Sequence, residues 1–508
     1  MLLSVPTVKL FVFQQRRTFT SCLAKPFSFF NAHSLTESQA QAALDKDCID
    51  FLPWLEQVAG TKITNTLSIG RSLYGRALFA SKVIHAGDCI LKVPFNAQIT
   101  PDELPTDVRV SLTDEVGNIG KLAALVMIER NRGQQNSRWF PYISRLPQLS
   151  DMHCTIFWDE NELNMIRCSA VHKETVKQKA QIEKEFSLVA QVRFLTGHHQ
   201  SFEHCLTERK AFKEHLPNAI ERPALKNFMY AYALVILSNL DPFLFCFPLD
   251  LDKLLLDSGI SCMGNLKRHI TDFVNHDGLS ASIVLSDEDN QLSEVTADRD
   301  YSPGDEVLIR YGEFSNATLV LDFGFTLPYN THDEVQIQID VPNDDPLRNM
   351  KLGLLQTHYT RSVKDINIFH SSYDSFTIKE VKSATGKGKG IPQSLRAFAR
   401  LLCCTSPQEL NDLSKEAEQN DGRLARLPYK DRSRELEAHK IILSHINRLI
   451  EDHNVCIKEL EASNCRFESQ RFTVRRQMAR DLLFGELRVL KSAAEWLNHY
   501  CTNLVSAT

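Results

Sequence analysis

The chain has 508 residues, 43% of them hydrophobic, which gives room for two to four soluble domains with buried cores. A net charge of -5 supplies no overall drive toward nucleic acid, and no apolar run reaches membrane-spanning length. The 13 cysteines are scattered without a Cys-x-x-Cys, which argues against a zinc ribbon or a disulfide scaffold and fits a reducing compartment.

The first 36 residues contain no Asp or Glu and carry Lys9, Arg16, Arg17 and Lys25 among Ser, Thr and Phe. That is the composition of an organelle transit peptide, with Arg17-Thr18-Phe19-Thr20-Ser21 as a mitochondrial-type cleavage pattern; an unprocessed tail is the alternative. Residues 45–60 predict a helix with Ile49, Leu52, Leu55 and Val58 on one face and Gly60 at its end. Ile69 to Ala80 reads as a hairpin, in which glycine at Gly75 would let the main chain approach a ligand; an ordinary hairpin is the alternative. Ala86-Gly87-Asp88 then turns into a strand from Cys89 to Pro94. Residues 115–190 are mostly helical, with one helix over Ile119 to Arg130 and another starting near Glu160. Val176 to Val192 is polar with a narrow apolar stripe and reads as a solvated helix. His198, His199, His204 and Cys205 raise a metal site, but lysine-rich polar neighbours and the lack of a placed carboxylate favour an exposed loop. Pro223 to Leu240 predicts a buried helix.

From Asn275 to Phe325 the chain reads as short strands and tight turns. Asn275-His276-Asp277-Gly278 opens it. Ser280 to Leu285, Leu292 to Ala297 and Glu306 to Tyr311 are strand-like, with turns over 287–290 and 302–305. Ser315-Asn316-Ala317 and Leu321-Asp322-Phe323-Gly324-Phe325 close it. Beyond, Asp333 to Val341 alternates strictly, like an exposed strand. Gly386-Lys387-Gly388-Lys389-Gly390 is a flexible basic loop without phosphate-loop spacing. Helices dominate from Pro392. Two long ones, Arg434 to Leu460 and Thr473 to Cys501, carry the apolar stripes of an α-helical domain, with a coiled-coil dimer as the alternative.

The ordered set of Asn275-His276, a strand ending at Tyr311, Ser-Asn-Ala and then Asp-Phe-Gly-Phe resembles the C-terminal half of a SET domain. It is most similar to the plant Rubisco large-subunit methyltransferase branch. The likeness runs over roughly residues 50–505, with a poor fit at 241–267. It implies an α+β chain: a SET-domain β-fold over 45–326 with a helical insert at about 115–268, after a transit peptide at 1–36. A mainly helical, all-α substrate-binding domain would follow over 330–508. The implied activity is protein-lysine N-methylation with S-adenosyl-L-methionine as cofactor and no metal. Carried over residue by residue, Tyr311 would be catalytic. Tyr74, Gly75, Arg76, Asn275 and His276 would hold the cofactor. Phe323 and Phe325 would line the lysine channel, and Asp272 would lie near its entrance.

The implied partner is a soluble protein bearing the target lysine, with Rubisco large subunit and fructose-bisphosphate aldolase heading the candidates. Neither nucleic acid nor membrane is expected, and the chain is expected to be a monomer. The family favours the chloroplast stroma; the mitochondrial matrix is the alternative. Three departures matter. Ala77 replaces the second glycine of the hairpin turn. No arginine follows Ser238, where the family has a Ser-Arg pair. Phe323 stands where the family has a tyrosine. They keep open a second reading, a SET-fold protein-binding module with weakened catalysis. A nuclear histone methyltransferase is a third, opposed by the transit-like N-terminus and the missing zinc cysteines.

Overall fold

The computed structural model describes residues 48–72, 75–112, 115–190, 222–237, 275–277, 280–287, 290–358, 374–419, 422–462 and 469–506. The expectations for the transit peptide, for His198 to Cys205, for Ser238 and for 241–267 lie outside the described residues, as do those for Tyr74 and Asp272.

In chain order the first part contains α1 (Phe51–Ala59), β1 (Leu67–Ser72), β2 (Gly75–Ala80), β3 (Cys89–Pro94), α2 (Asn118–Asn136), α3 (Ala170–Ala190) and α4 (Arg222–Leu237). It continues with β4 (Asn275–His276), β5 (Val284–Asp287), β6 (Leu292–Thr296) and β7 (Leu308–Ile309). β1 and β2 form the expected antiparallel hairpin, with Ser72 opposite Gly75. β3, β6 and β5 form one antiparallel sheet in that order. β4 and β7 pair in parallel, Asn275 with Leu308 and His276 with Ile309. The hairpin is stitched to the segment before β7: Gly304 N–H donates to the Ala80 carbonyl and Val307 N–H to the Leu78 carbonyl, each at 2.8 Å. Chain segments more than 200 residues apart thus meet at the ends of β2 and β4.

Several expectations change. α1 buries Phe51, Leu55 and Ala59, whereas Ile49 precedes it and is exposed. A four-residue step from Phe51 keeps side chains on one helical face, and a repeated three-residue step from Ile49 drifts off it. The strand expected from Ser280 begins only at Val284. The Ser280 hydroxyl donates to Asp298 and that of Ser282 to the Thr296 carbonyl, which draws this stretch out of the ladder. α3 is solvated along most of its polar face over 176–190, as its pattern implies, and its narrow stripe is buried together with two carboxylates. It buries Val171, Ile182 and Val189, and with them Glu174 and Glu185. Glu185 is accommodated because Gln181 donates to its carboxylate at 2.8 Å and the Tyr232 hydroxyl of α4 approaches at 3.5 Å.

The second part holds β8 (Glu334–Gln338), α5 (Arg348–Thr357), β9 (Ser375–Lys379), α6 (Gln393–Leu402), α7 (Pro407–Gln419), α8 (Arg432–Ala462) and α9 (Gln470–Ser506). β8 is half-buried rather than exposed. It pairs with β9, and Val335 and Ile337 join Phe376 and Ile378 in a core. α8 and α9 pack antiparallel, since His439 meets Trp496 and Tyr500 while His453 meets Glu486. Their apolar stripes are therefore buried within the chain. Among the described residues no helix is long and apolar enough to cross a membrane.

α9 also joins the two parts. A core of Trp158, Ile166, Val171, Val320 and Leu321 packs against Leu482, Leu483 and Leu487. Within it the buried Arg475 guanidinium donates to Glu162 at 2.5 Å and to the carbonyls of Phe157 at 2.9 Å and Met152 at 3.1 Å. Removing one member of a buried pair leaves the other charge uncompensated, a cost of about 3–5 kcal/mol. Arg475→Ala is therefore expected to lose stability on that scale in urea denaturation at pH 7. A loss below about 1 kcal/mol would show that water replaces the guanidinium.

Candidate active site

The site begins where β4 and β7 run side by side. Parallel pairing brings the end of β4, at His276, beside the chain leaving β7 toward Tyr311. His276 Nδ1 accepts the Tyr311 backbone N–H at 3.1 Å. The proton of a neutral ring then resides on Nε2. Burial, with smaller pushes from His332 and Arg310, brings the His276 pKa down to about 4, although Asp277 opposes the shift. The ring is neutral at pH 7, which is the state that can accept this hydrogen bond.

Around this pair the aromatic rings gather. Tyr311 lies 5.1 Å from the His276 ring, 5.4 Å from Phe323 and 6.3 Å from Phe325 by centroid. Phe325 packs 5.7 Å from His276, and Phe314 stacks on Phe323 at 5.6 Å. Phe323 is buried, while Tyr311, Phe314 and Phe325 are half-buried. Phe314 was not foreseen from the sequence. Its only signal was an aromatic residue shortly after Tyr311-Gly312.

Backbone geometry explains the Asp-Phe-Gly-Phe run. Ser315 caps a short helical turn, Asn316–Thr318, which continues as a π-turn over Leu319–Phe323. Gly324 then takes φ +71, and a Cβ there would lie 2.6 Å from the Cys154 backbone nitrogen. Glycine alone permits both the left-handed conformation and this approach. The reversal sets Phe323 and Phe325 on the same aromatic wall. Asn316 fixes its far end, exchanging side-chain hydrogen bonds with the Leu327 N–H at 2.8 Å and carbonyl at 2.9 Å.

The remaining sequence candidates divide. Asn275 Nδ2 donates to Glu306 at 2.8 Å and lies 3.4 Å from the Ser72 hydroxyl, so the hairpin end at Ser72 and Gly75 sits beside β4. Gly75, Asn275, His276, Tyr311, Phe323 and Phe325 thus form one neighbourhood. The Arg76 side chain leaves it and donates to the Arg145 carbonyl at 2.5 Å. Ala77 is fully buried opposite Gly70, so its methyl group is part of the core. Ser72, Gly75 and Asn275 thus form a small, polar end to the hairpin, with the Asn275 amide held between Glu306 and Ser72.

A SET domain model matches residues 75–312, and a Rubisco LSMT substrate-binding model matches residues 342–490. The chain belongs to the family that joins these two domains. A chloroplastic ribulose-1,5 bisphosphate carboxylase/oxygenase large subunit N-methyltransferase of Pisum sativum is 23% identical over 363 residues, 67% of this chain and 64% of that enzyme. An actin-histidine N-methyltransferase of Gallus gallus is 25% identical over 288 residues, 55% of this chain and 43% of that protein. The matched regions thus span less than two thirds of either relative. A structure of the SET domain of LSMT bound to lysine and AdoHcy superposes with a TM-score of 0.65 at 19% identity, covering 91% of this chain and 93% of that one. At that identity the likeness speaks for the fold.

One group just beyond the SET match is electrically unusual. Asp322 is buried behind the aromatic wall, Gln178 lies 3.5 Å from its Oδ1, and its Oδ2 has no hydrogen-bond partner among the described residues. Burial, assisted by Glu174, pushes its pKa up to about 7. Between the usual carboxylate range and pH 7 the folded protein keeps a proton that the unfolded chain has lost. The contribution to stability is therefore greatest below about pH 4 and is lost as pH rises through 7. Asp322→Asn fixes the neutral state, so its melting temperature relative to the parent should rise between pH 5 and pH 8. An identical difference at both pH values would mean that Asp322 does not titrate in this range.

Proposed function

We propose that this chain is an S-adenosyl-L-methionine-dependent protein-lysine N-methyltransferase acting on a soluble organellar protein. The observation that carries the reading is the setting of Tyr311: backbone held by His276, ring enclosed by Phe314, Phe323 and Phe325. Rubisco large subunit and fructose-bisphosphate aldolase remain the first targets to try. The chloroplast stroma is the first location, ahead of the mitochondrial matrix.

A lysine amine with a pKa near ~10.4 is almost fully charged at pH 7, yet it must arrive neutral to attack a methyl group. Phe323, Phe325 and Phe314 supply the apolar walls that disfavour the ammonium form and exclude water. Tyr311 supplies the polar atom: its hydroxyl orients the incoming amine, and the His276 bond to its backbone fixes where that hydroxyl points. Gly75, Asn275 and the backbone beside Arg76 would hold the cofactor, which when bound would supply the electrophilic methyl group and a positive sulfur that further favours a neutral amine. Tyr311 and the aromatic walls would hold that amine in line with the methyl group, and the product ammonium would lose its proton to solvent. Phe323 in place of a tyrosine removes one hydrogen bond from the channel, which bears on how many methyl groups are added. Asp272 is retained as an entrance residue and Tyr74 as a cofactor contact. The actin-histidine relative favours one rival acceptor, an imidazole, which an aromatic channel would also admit.

Calorimetry with the full-length chain should detect S-adenosyl-L-methionine binding at micromolar strength. Organelle extracts given a labelled methyl donor should then acquire label on lysine. Label on histidine would overturn the lysine assignment, and absent cofactor binding would leave the protein-binding reading. Tyr311→Phe is expected to lower turnover on the order of 100-fold, the scale of losing one oriented donor. Near-normal turnover would remove Tyr311 from the chemistry.

A further inference from the structure

The basic loop that the sequence left without a task closes a cleft of about 580 Å³. Glu313 and His332 form one wall, and Lys379, Lys382, Lys387 and Lys389 the other. Glu313 lies two residues beyond Tyr311 and next to Phe314, so the cleft and the aromatic site share one stretch of chain.

The loop is not the flexible segment expected from its glycines. Trp496 Nε1 donates to the Gly386 carbonyl at 2.8 Å, Arg396 to the carbonyls of Lys387 at 3.3 Å and Gly388 at 2.9 Å, and Lys379 N–H to that of Gly390 at 2.8 Å. Gly388 takes φ +65, and a Cβ there would fall 2.4 Å from the Arg396 guanidinium and 2.6 Å from the Trp496 ring. Its carbonyls are thus spent inward while the side chains of Lys382, Lys387 and Lys389 remain exposed.

The charge balance of the cleft is one-sided. Its carboxylates are occupied: Asp333 and Glu380 both pair with Arg488, and Glu313 lies 3.8 Å from Arg310. Lys379 is 3.5 Å from Glu334. Lys382, Lys387 and Lys389 have no ion-pair partner among the described residues. Three exposed ammonium groups without an ion-pair partner among the described residues complement an acidic chain.

We infer that this cleft docks an Asp/Glu-rich stretch of the protein substrate, close in sequence to the residue delivered to Tyr311. The inference rests on reading the Tyr311 site as one for methyl transfer to protein. Preformed loop geometry reduces the ordering cost of docking, and the lysines select against neutral or basic segments.

The test uses the full-length chain and fluorescein-labelled 12-residue peptides with one central lysine, flanked either by Glu and Gly or by Gln and Gly. Anisotropy at low salt should show the acidic peptide binding about tenfold more tightly, an advantage that fades at high salt. Lys387→Gln with Lys389→Gln, both exposed, should remove most of that advantage while leaving S-adenosyl-L-methionine binding unchanged. Equal affinity for the two peptides, or an undiminished preference in the double variant, would overturn the inference. So would a single-stranded RNA of matched charge that displaces the acidic peptide at lower concentration. If the parent selects the acidic peptide but fails to bind the cofactor, methyl transfer falls and the docking cleft stands. If it binds the cofactor without selecting by charge, the reverse holds.

Discussion

The buried carboxylate of Asp333 is the constraint on which the junction of the aromatic wall, α9 and the basic cleft depends. One oxygen accepts the Asn316 backbone N–H at 3.0 Å, and the other accepts Arg488 of α9 at 3.1 Å. Arg488 also donates to the Asn330 carbonyl at 2.6 Å and pairs with Glu380, just before the basic loop. The aromatic wall, the longest helix and the cleft therefore meet at one side chain. Burial pushes the Asp333 pKa up to about 6 even though Arg488 and the Asn316 N–H pull it down. The desolvation cost thus exceeds the local attraction. A buried ion pair of this kind is weak evidence of net stability. Its value is geometric: no apolar replacement would hold three separate segments in register.

The same economy of polar groups is seen at His276. A charged imidazole could not accept the Tyr311 N–H, and burial ensures that the ring is neutral. Burial among aromatic rings therefore does two things at once. It keeps the histidine in the tautomer that accepts the Tyr311 N–H, and it gives the surroundings of Tyr311 a low-polarity wall. Asp322 lies behind that wall and obeys the same rule, with burial raising an acid where it lowers a base.

Much of this was legible in the sequence, because turns and capping residues act locally. The β1–β2 hairpin, the Ser302 to Asp305 turn and the helix start at Glu160 appear where they were expected, the last capped by Asp159. What was not legible depended on partners. Strict alternation in β8 marks two different faces but does not say that β9 will cover one, so an exposed strand was expected. The polar face and narrow stripe of α3 are legible, but nothing local shows that Glu185 will be buried near a tyrosine of α4. Phe314 carries no periodic signal, since its place is set by a turn rather than by a strand or a helix. Gly-Lys-Gly-Lys-Gly reads as flexible because the composition cannot reveal that Trp496 and Arg396, more distant in sequence, will take up its carbonyls.

These features divide labour within one frame. Tyr311 and its rings are fixed by backbone contacts and glycine geometry, so a substitution there shifts the whole aromatic cluster. The lysines of the basic loop are fixed only through their backbone, so their side chains can change without disturbing what holds the loop. Arg488 links the two regions through Glu380 on one side and Asp333 on the other. On the proposed reading, a frame built this way lets the choice of substrate drift by surface charge while the acceptor geometry stays constant. Relatives at 23–25% identity whose names give different targets, a Rubisco large subunit and an actin histidine, are what such a separation allows.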